Sequence, residues 1–219
     1  MSQPHPAASP PSFTPSELVV LFGDRFAAEG GMLTAKEEVL TSGAKVSAEE
    51  VGQAAALAAL LAADRAGTLK LETRTGKALF GLLKTEKVHA APGAAPAAWP
   101  EGSLERALSE GAAAAPTVQD LFQGVLGEES YNPWQRLAAM VKAGLAGRGL
   151  LDVEEKKTLK IFTTATFTLP ETTRAAAARE DVDAVRDLLR TAESGRAELY
   201  RATVKAVRAA VTFMTTSSD

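Results

Sequence analysis

The side chains that most often ligate metals or act as nucleophiles are almost missing from this chain. Cysteine is absent and histidine occurs twice. His5 lies in a proline-rich stretch and His89 beside a Pro/Ala segment, so neither a His-based metal site nor a catalytic triad is expected. No pair of carboxylates with metal-ligand partners, no phosphate-binding glycine loop and no nucleophile elbow occurs. Gly23-Asp24 and Gly30-Gly31 read as turns. The expectation is a protein without catalysis, cofactor or metal, in a reducing compartment.

The chemistry that remains belongs to charge and apolar surface. The net charge is −3, which argues against general nucleic-acid binding, but it is uneven. Residues 136–208 carry 14 Lys/Arg against 10 Asp/Glu, whereas residues 1–135 carry 10 against 16. A mildly basic C-terminal half suits an anionic surface or an ordinary solvated face. The segment Ala78–Leu83 is more apolar than an exposed arm needs. Its Phe80, Leu82 and Leu83 are candidates to enter a bilayer interface, to pair with a second copy or protein partner, or to pack on the chain's own helices. Near the C-terminus, Val204, Val207, Val211 and Met214 share a stripe beside Arg201, Lys205 and Arg208. That is the layout of a basic amphipathic helix, or of a core helix with snorkelling cations. Tyr131 and Trp134 frame Asn132-Pro133 as a stacking pair or as packing anchors.

The elements positioning these residues read mostly as helices. Apolar residues make up 46% of the chain with few aromatics, so the core must be built from Ala, Leu and Val. Residues 1–15 read as a disordered Pro-rich tail, 16–214 as one domain and 215–219 as a flexible tail. Thr14-Pro15-Ser16-Glu17 is a helix start. After a segment at Ala35–Thr41, a helix over Ser47–Ala66 turns Val51, Ala54, Ala55, Ala58, Leu61 and Ala62 to one face and ends at Gly67. Thr68–Thr75 alternates as a strand, Gly76-Lys77 is its turn, and the return arm runs through Val88. Ala90–Pro100 is a connector. Helices follow from Ser103, Pro116-Thr117 and Asn132-Pro133, the last ending at Gly149. A second strand pair is expected at Leu150–Val153 and Leu159–Thr163, with Glu154–Lys157 as its turn. Helices at Glu180–Glu193 and Gly195–Met214 complete the chain. The order helix, Gly, strand, turn, strand occurs twice and resembles the helix-plus-wing part of winged-helix folds. The fold class is therefore mainly α: a compact helical domain with a β-hairpin and short winged-helix-like strand pairs. No signal peptide is visible, and the longest Ala/Leu run, Ala54–Ala63, is far short of the roughly 20 residues a spanning helix needs.

Several pieces in order resemble the Golgi phosphoprotein 3 family. They are Ala66–Glu72 (AGTLKLE), Ser103–Leu108 (SLERAL), Thr117–Pro133 with its Gly127-Glu128, Tyr131 and Asn132-Pro133, and Leu145–Leu151 (LAGRGLL) leading to Glu155-Lys156-Lys157. Pro170 matches a family proline. Together they span about residues 17–214. The resemblance implies a mostly helical, cytoplasmic adaptor that lies peripherally on the cytoplasmic face of a membrane. It would bind anionic lipid or a phosphatidylinositol 4-phosphate-like headgroup through one Trp and several Arg. Arg grips phosphate bidentately while Trp covers the ring. The family's Trp and Arg positions fall near Ser47, Ala56, Gln135 and Ala138, so none is kept. Arg65, Arg136, Lys142 and Arg148 are the cations nearby that could substitute. The alternatives are a tandem winged-helix DNA- or chromosome-associated protein, and a family member that has lost lipid binding and acts as a protein-interaction scaffold.

Overall fold

The computed structural model describes residues 12–31, 34–78, 83–127, 132–158 and 162–216. Along them run α1 (Pro15–Leu21), β1 (Lys36–Glu38), β2 (Lys45–Ser47), α2 (Ala48–Arg65), β3 (Leu69–Ala78), β4 (Leu83–Pro92), α3 (Leu104–Gly111) and α4 (Val118–Leu126). Then come α5 (Pro133–Gly147), β5 (Asp152–Thr158), β6 (Phe162–Thr168), α6 (Glu171–Ala177), α7 (Val182–Gly195) and α8 (Ala197–Thr216). The fold is mainly α, with three two-stranded antiparallel sheets among the described residues.

Local sequence sets the helix starts. At α1 the Thr14 N–H donates to the Glu17 carboxylate at 2.9 Å, half of a capping box, with Pro15 at the first helical position. Ser47, Ser103, Thr117 and Asp181 each accept a bond from a backbone N–H three residues on, satisfying donors the helix leaves unpaired.

The helix expected to bury one face is buried all round over Ala54–Ala63. Alongside Val51, Ala54, Ala55 and Ala58, the residues Gly52, Ala56, Leu57, Ala59 and Leu60 of α2 are also shielded from solvent. A helix apolar on every side is a core helix. α1, α3, α5, α7, α8 and β3 all pack on it. Trp134 of α5 covers Gly52 so closely that a Cβ there would lie 2.8 Å from the indole ring. The indole is a packing anchor, whereas Tyr131 lies outside the described residues.

α2 and α5 end alike. Gly67 and Gly149 both sit at φ 72°. Beyond them Thr68 N–H donates to the Ala63 carbonyl (3.0 Å) and Leu150 N–H to the Leu145 carbonyl (2.9 Å). This is the six-to-one bond of a Schellman stop, which needs a left-handed residue and so favours glycine. Each stop releases the chain into a hairpin, so the helix–glycine–hairpin order read in the sequence occurs twice in space.

The hairpin turns differ from the reading. Gly76 pairs with Thr85 and Lys77 with Lys84 inside the β3–β4 ladder, so Gly76-Lys77 is strand and not turn. Likewise Glu154 to Lys157 lie within β5. Both segments are polar. Hydrophobic alternation therefore gave no signal there. The small β1–β2 pair and α6 were not read from the sequence at all. The last two helices fall close to their expected spans, and Thr203, Val207, Ala210 and Val211 form the buried side of α8.

Close backbone approaches hold the layers. A Cβ at Gly144 on α5 would lie 2.1 Å from the Gly102 carbonyl oxygen, whereas one at Gly147, a turn later, would meet nothing within 4 Å. Gly144→Ala should therefore destabilise the protein by about 3 kcal/mol through overpacking. Gly147→Ala should be neutral or stabilising by about 0.5–1 kcal/mol. Urea denaturation of both variants checks the contrast.

Candidate functional site

Arg136, Lys142 and Arg148 lie six residues apart on or at the end of α5. Six residues turn an α-helix by about 240°, so the three point to three different sides and cannot share one phosphate. The structure gives two of them other work. The Lys142 ammonium, 8% exposed, is ion-paired with the Glu37 carboxylate of β1 and donates to the Glu38 carbonyl at 3.4 Å. The Arg148 guanidinium is ion-paired with the buried Glu17 of α1 and donates to the Ser12 carbonyl at 3.2 Å. Arg136 lies beside Gly127, where a Cβ would come 3.1 Å from a guanidinium nitrogen. Arg65 is exposed at the far end of α2. The four-cation cluster is thus corrected: Lys142 and Arg148 neutralise internal carboxylates. Lys142→Ala would leave Glu37 buried without its partner and should cost about 3 kcal/mol. A lysine serving only a ligand would cost no stability, and thermal or urea unfolding separates the two.

A second set of charges lies wholly inside. Glu105 of α3 accepts the Ser16 N–H at 2.8 Å and bonds the Ser16 hydroxyl at 2.9 Å, tying α3 to the first turn of α1. Burial pushes the Glu105 carboxyl above its ordinary value, the Ser16 bond opposes this, and the nearby Glu17 raises it further. Glu17 is also raised by burial, against the pull of Thr14 and Arg148. A carboxyl whose folded pKa is raised binds more protons folded than unfolded, so its contribution is complete below the ordinary value of 4.5 and is lost as pH climbs through the folded value. Stability should fall as pH rises above that value. Glu105→Gln, which keeps the acceptor and cannot ionise, should flatten the fall. Urea midpoints measured across mildly acidic to neutral pH test this.

The β3–β4 ribbon offers the first external surface. Its base is held by the buried Leu69, Leu71, Val88 and Ala90. Farther out, Thr73, Arg74, Thr75, Glu86 and Lys87 are exposed on both faces. Phe80 and Leu82 fall in residues 79–82, outside the described residues. Leu83 opens β4 opposite Ala78. The register sets Lys77 opposite Lys84, and residues 69–92 carry five Lys/Arg against two Glu. The second ribbon, β5–β6, is exposed over Asp152–Glu155 and at Ala165, Thr166 and Thr168, with Val153 51% exposed.

The second surface is a cleft of about 800 Å³ between β4 and α8. Glu86, Lys87 and Val88 form one wall, and Arg201, Lys205 and the small Ala202, Ala206 and Ala209 form the other. Thr117, the cap of α4, closes the base and makes an antiparallel bridge to His89. A smaller depression of about 370 Å³ lies by Trp134 and Arg208, but the Arg208 guanidinium already donates to Gln53 at 2.8 Å. The basic edge of α8 was legible in the sequence. The cleft was not, because it depends on how α8 lies along β4.

No group of three or more His, Asp or Glu that could hold a metal occurs among the described residues. No helix among them is long and apolar enough to cross a membrane. The site class is therefore an external ribbon and an open cleft on a helical body. No protein-family model matches the sequence, and no curated protein matches it.

Proposed function

We propose that the protein is a non-catalytic peripheral adaptor, of the Golgi phosphoprotein 3 kind its sequence resembles, which docks on an anionic membrane through the β3–β4 ribbon. The observation carrying this reading is the ribbon itself. It is exposed on both faces over Thr73–Thr75 and Glu86–Lys87, bears an excess of cations, and carries the apolar sequence Leu79-Phe80-Gly81-Leu82 between its strands. An isolated two-stranded hairpin is marginal in water, and an excess of like charge along it, five Lys/Arg against two Glu over residues 69–92, weakens it further. Anionic headgroups around an inserted apolar turn relieve both deficits. Because Lys142 and Arg148 are held by Glu37 and Glu17, the attraction is to surface charge rather than to one headgroup. Vesicles containing phosphatidylserine should bind as well as vesicles containing phosphatidylinositol 4-phosphate at matched charge.

The doubled helix–glycine–hairpin unit supports a second reading, a tandem winged-helix protein on duplex DNA. Its recognition helices are poorly suited. α2 is buried all round with Arg65 its only cation, and the outward side of α5 is Ala139, Ala143 and Gly147, which offers no charge to phosphate. Cosedimentation at low salt, with a duplex-DNA gel shift in parallel, decides. The wild type should pellet with anionic vesicles and not with neutral ones, and the Phe80→Asp/Leu82→Asp double variant should lose about tenfold or more in binding. A wild type that ignores anionic vesicles, or shifts DNA instead, sinks the membrane reading.

A further inference from the structure

The cleft between β4 and α8 has the features of a strand-accepting edge. Three consecutive residues, Glu86, Lys87 and Val88, line it. A strand face would present only every second residue, so the cleft runs along the edge of β4, where backbone N–H and C=O groups point sideways. At its base one isolated antiparallel bridge, Thr117–His89, already pairs with that edge. Among the described residues nothing continues that pairing toward Glu86. The opposite wall presents Ala202, Ala206 and Ala209, which leave room for a main chain, and Arg201 and Lys205 above them. Both cations are exposed. Arg201 donates only to the Ala197 carbonyl of its own helix, at 3.2 Å. Neither is paired with a carboxylate among the described residues, and Lys87 on the facing wall is likewise unpaired. Glu86 and Glu198 also line the cleft, against Lys87, Arg201 and Lys205, so its lining carries one net positive charge, and the two cations of α8 stand together on one wall.

We propose that this cleft takes an extended acidic segment of a partner polypeptide as an added strand on the free edge of β4. Main-chain pairing to β4 supplies the binding, and the cations of α8 select the sequence. The spacing defines the preference. Arg201 and Lys205 are one helical turn apart, about 6 Å along the axis. Side chains two residues apart on a strand stand about 6.8 Å apart on the same side. The cleft therefore reads an acid–any–acid pattern, and its volume of about 800 Å³ lies in the range of ligand clefts. This role concerns the edge of the ribbon and not its tip, and it stands whether or not the tip meets a membrane.

The test is made without lipid. Fluorescence anisotropy follows fluorescein-labelled Thr-Glu-Val-Glu-Val-Thr titrated with the full chain. It is compared with the same peptide carrying Lys for Glu, and with two versions N-methylated at alternate residues in opposite phases. The acidic peptide should bind and the lysine peptide should not. One methylation phase should bind like the parent while the other fails, because only one edge of an added strand faces β4. Arg201→Ala/Lys205→Ala, a surface change checked for folding by circular dichroism, should weaken binding at least about tenfold. Absence of binding by the acidic peptide overturns the proposal. So does equal binding of both methylated versions, which would mean charge attraction alone. Self-association of the chain through this edge that the peptide cannot displace would assign the edge to a second copy and overturn it as well.

Discussion

Everything in this structure is arranged around a helix that has no outside. α2 presents mostly alanine to its neighbours, and alanine both favours the helix and lets other backbones come near. Packing here is by close approach rather than by large side chains. Trp134 lies on Gly52, and a Cβ at Gly93 would lie 2.1 Å from the Gly67 carbonyl, as one at Gly144 would from Gly102. Dispersion falls off within an ångström, so such contacts stabilise only while the distances are kept. A single added methyl is felt more here than in a leucine-rich core. The alanine content of the sequence is thus a packing strategy, and it dictates where glycine must stand.

A core so sparing of large side chains leaves positional specificity to polar ties. Glu105 fixes α3 to α1 through Ser16, Glu17 fixes α1 to the end of α5 through Arg148, and Glu37 fixes β1 to α5 through Lys142. Arg174 of α6 donates to the Leu40 carbonyl at 3.2 Å. Arg196 pairs with Asp64 at 2.5 Å, and Asp64 accepts the Leu71 N–H at 2.8 Å. Apart from the local Asp64–Leu71 bond, each tie joins segments far apart in sequence. Buried ionic pairs contribute little net stability against a well-packed apolar alternative, and breaking one leaves a stranded charge. Their effect is to penalise any arrangement of the helices other than this one.

This division explains what the sequence disclosed. Helix starts at Thr14, Ser47, Ser103 and Thr117 and the stops at Gly67 and Gly149 depend on residues within one turn, so local reading found them. The turns of both ribbons were misplaced because Gly76-Lys77 and Glu154–Lys157, which lie in strands, are polar in sequence and carry none of the alternation that marks register. β1 was missed because three residues around one buried glutamate carry no pattern. The cations Lys142 and Arg148 resembled available ligands because their partners, Glu37 and Glu17, lie more than a hundred residues away. Only the tertiary fold reveals that pairing. The edge cleft belongs to the same class, since α8 and β4 meet across a long stretch of chain.

The exposed ribbons are what the core does not explain. An open strand edge invites aggregation, and proteins usually cover it, shorten it or charge it. β4 is ten residues long and exposed at Glu86 and Lys87, and its sequence Lys84-Thr85-Glu86-Lys87 is charged instead. Charge keeps copies of the ribbon apart while leaving the main-chain groups accessible to a segment of complementary sign. Past its buried base the ribbon is exposed over Thr73–Thr75 and Glu86–Lys87, where other elements contribute little to holding it. A surface gripping the turn and a strand added at the edge would each lower the cost of ordering that the other must meet, and such coupling is reciprocal by thermodynamic necessity.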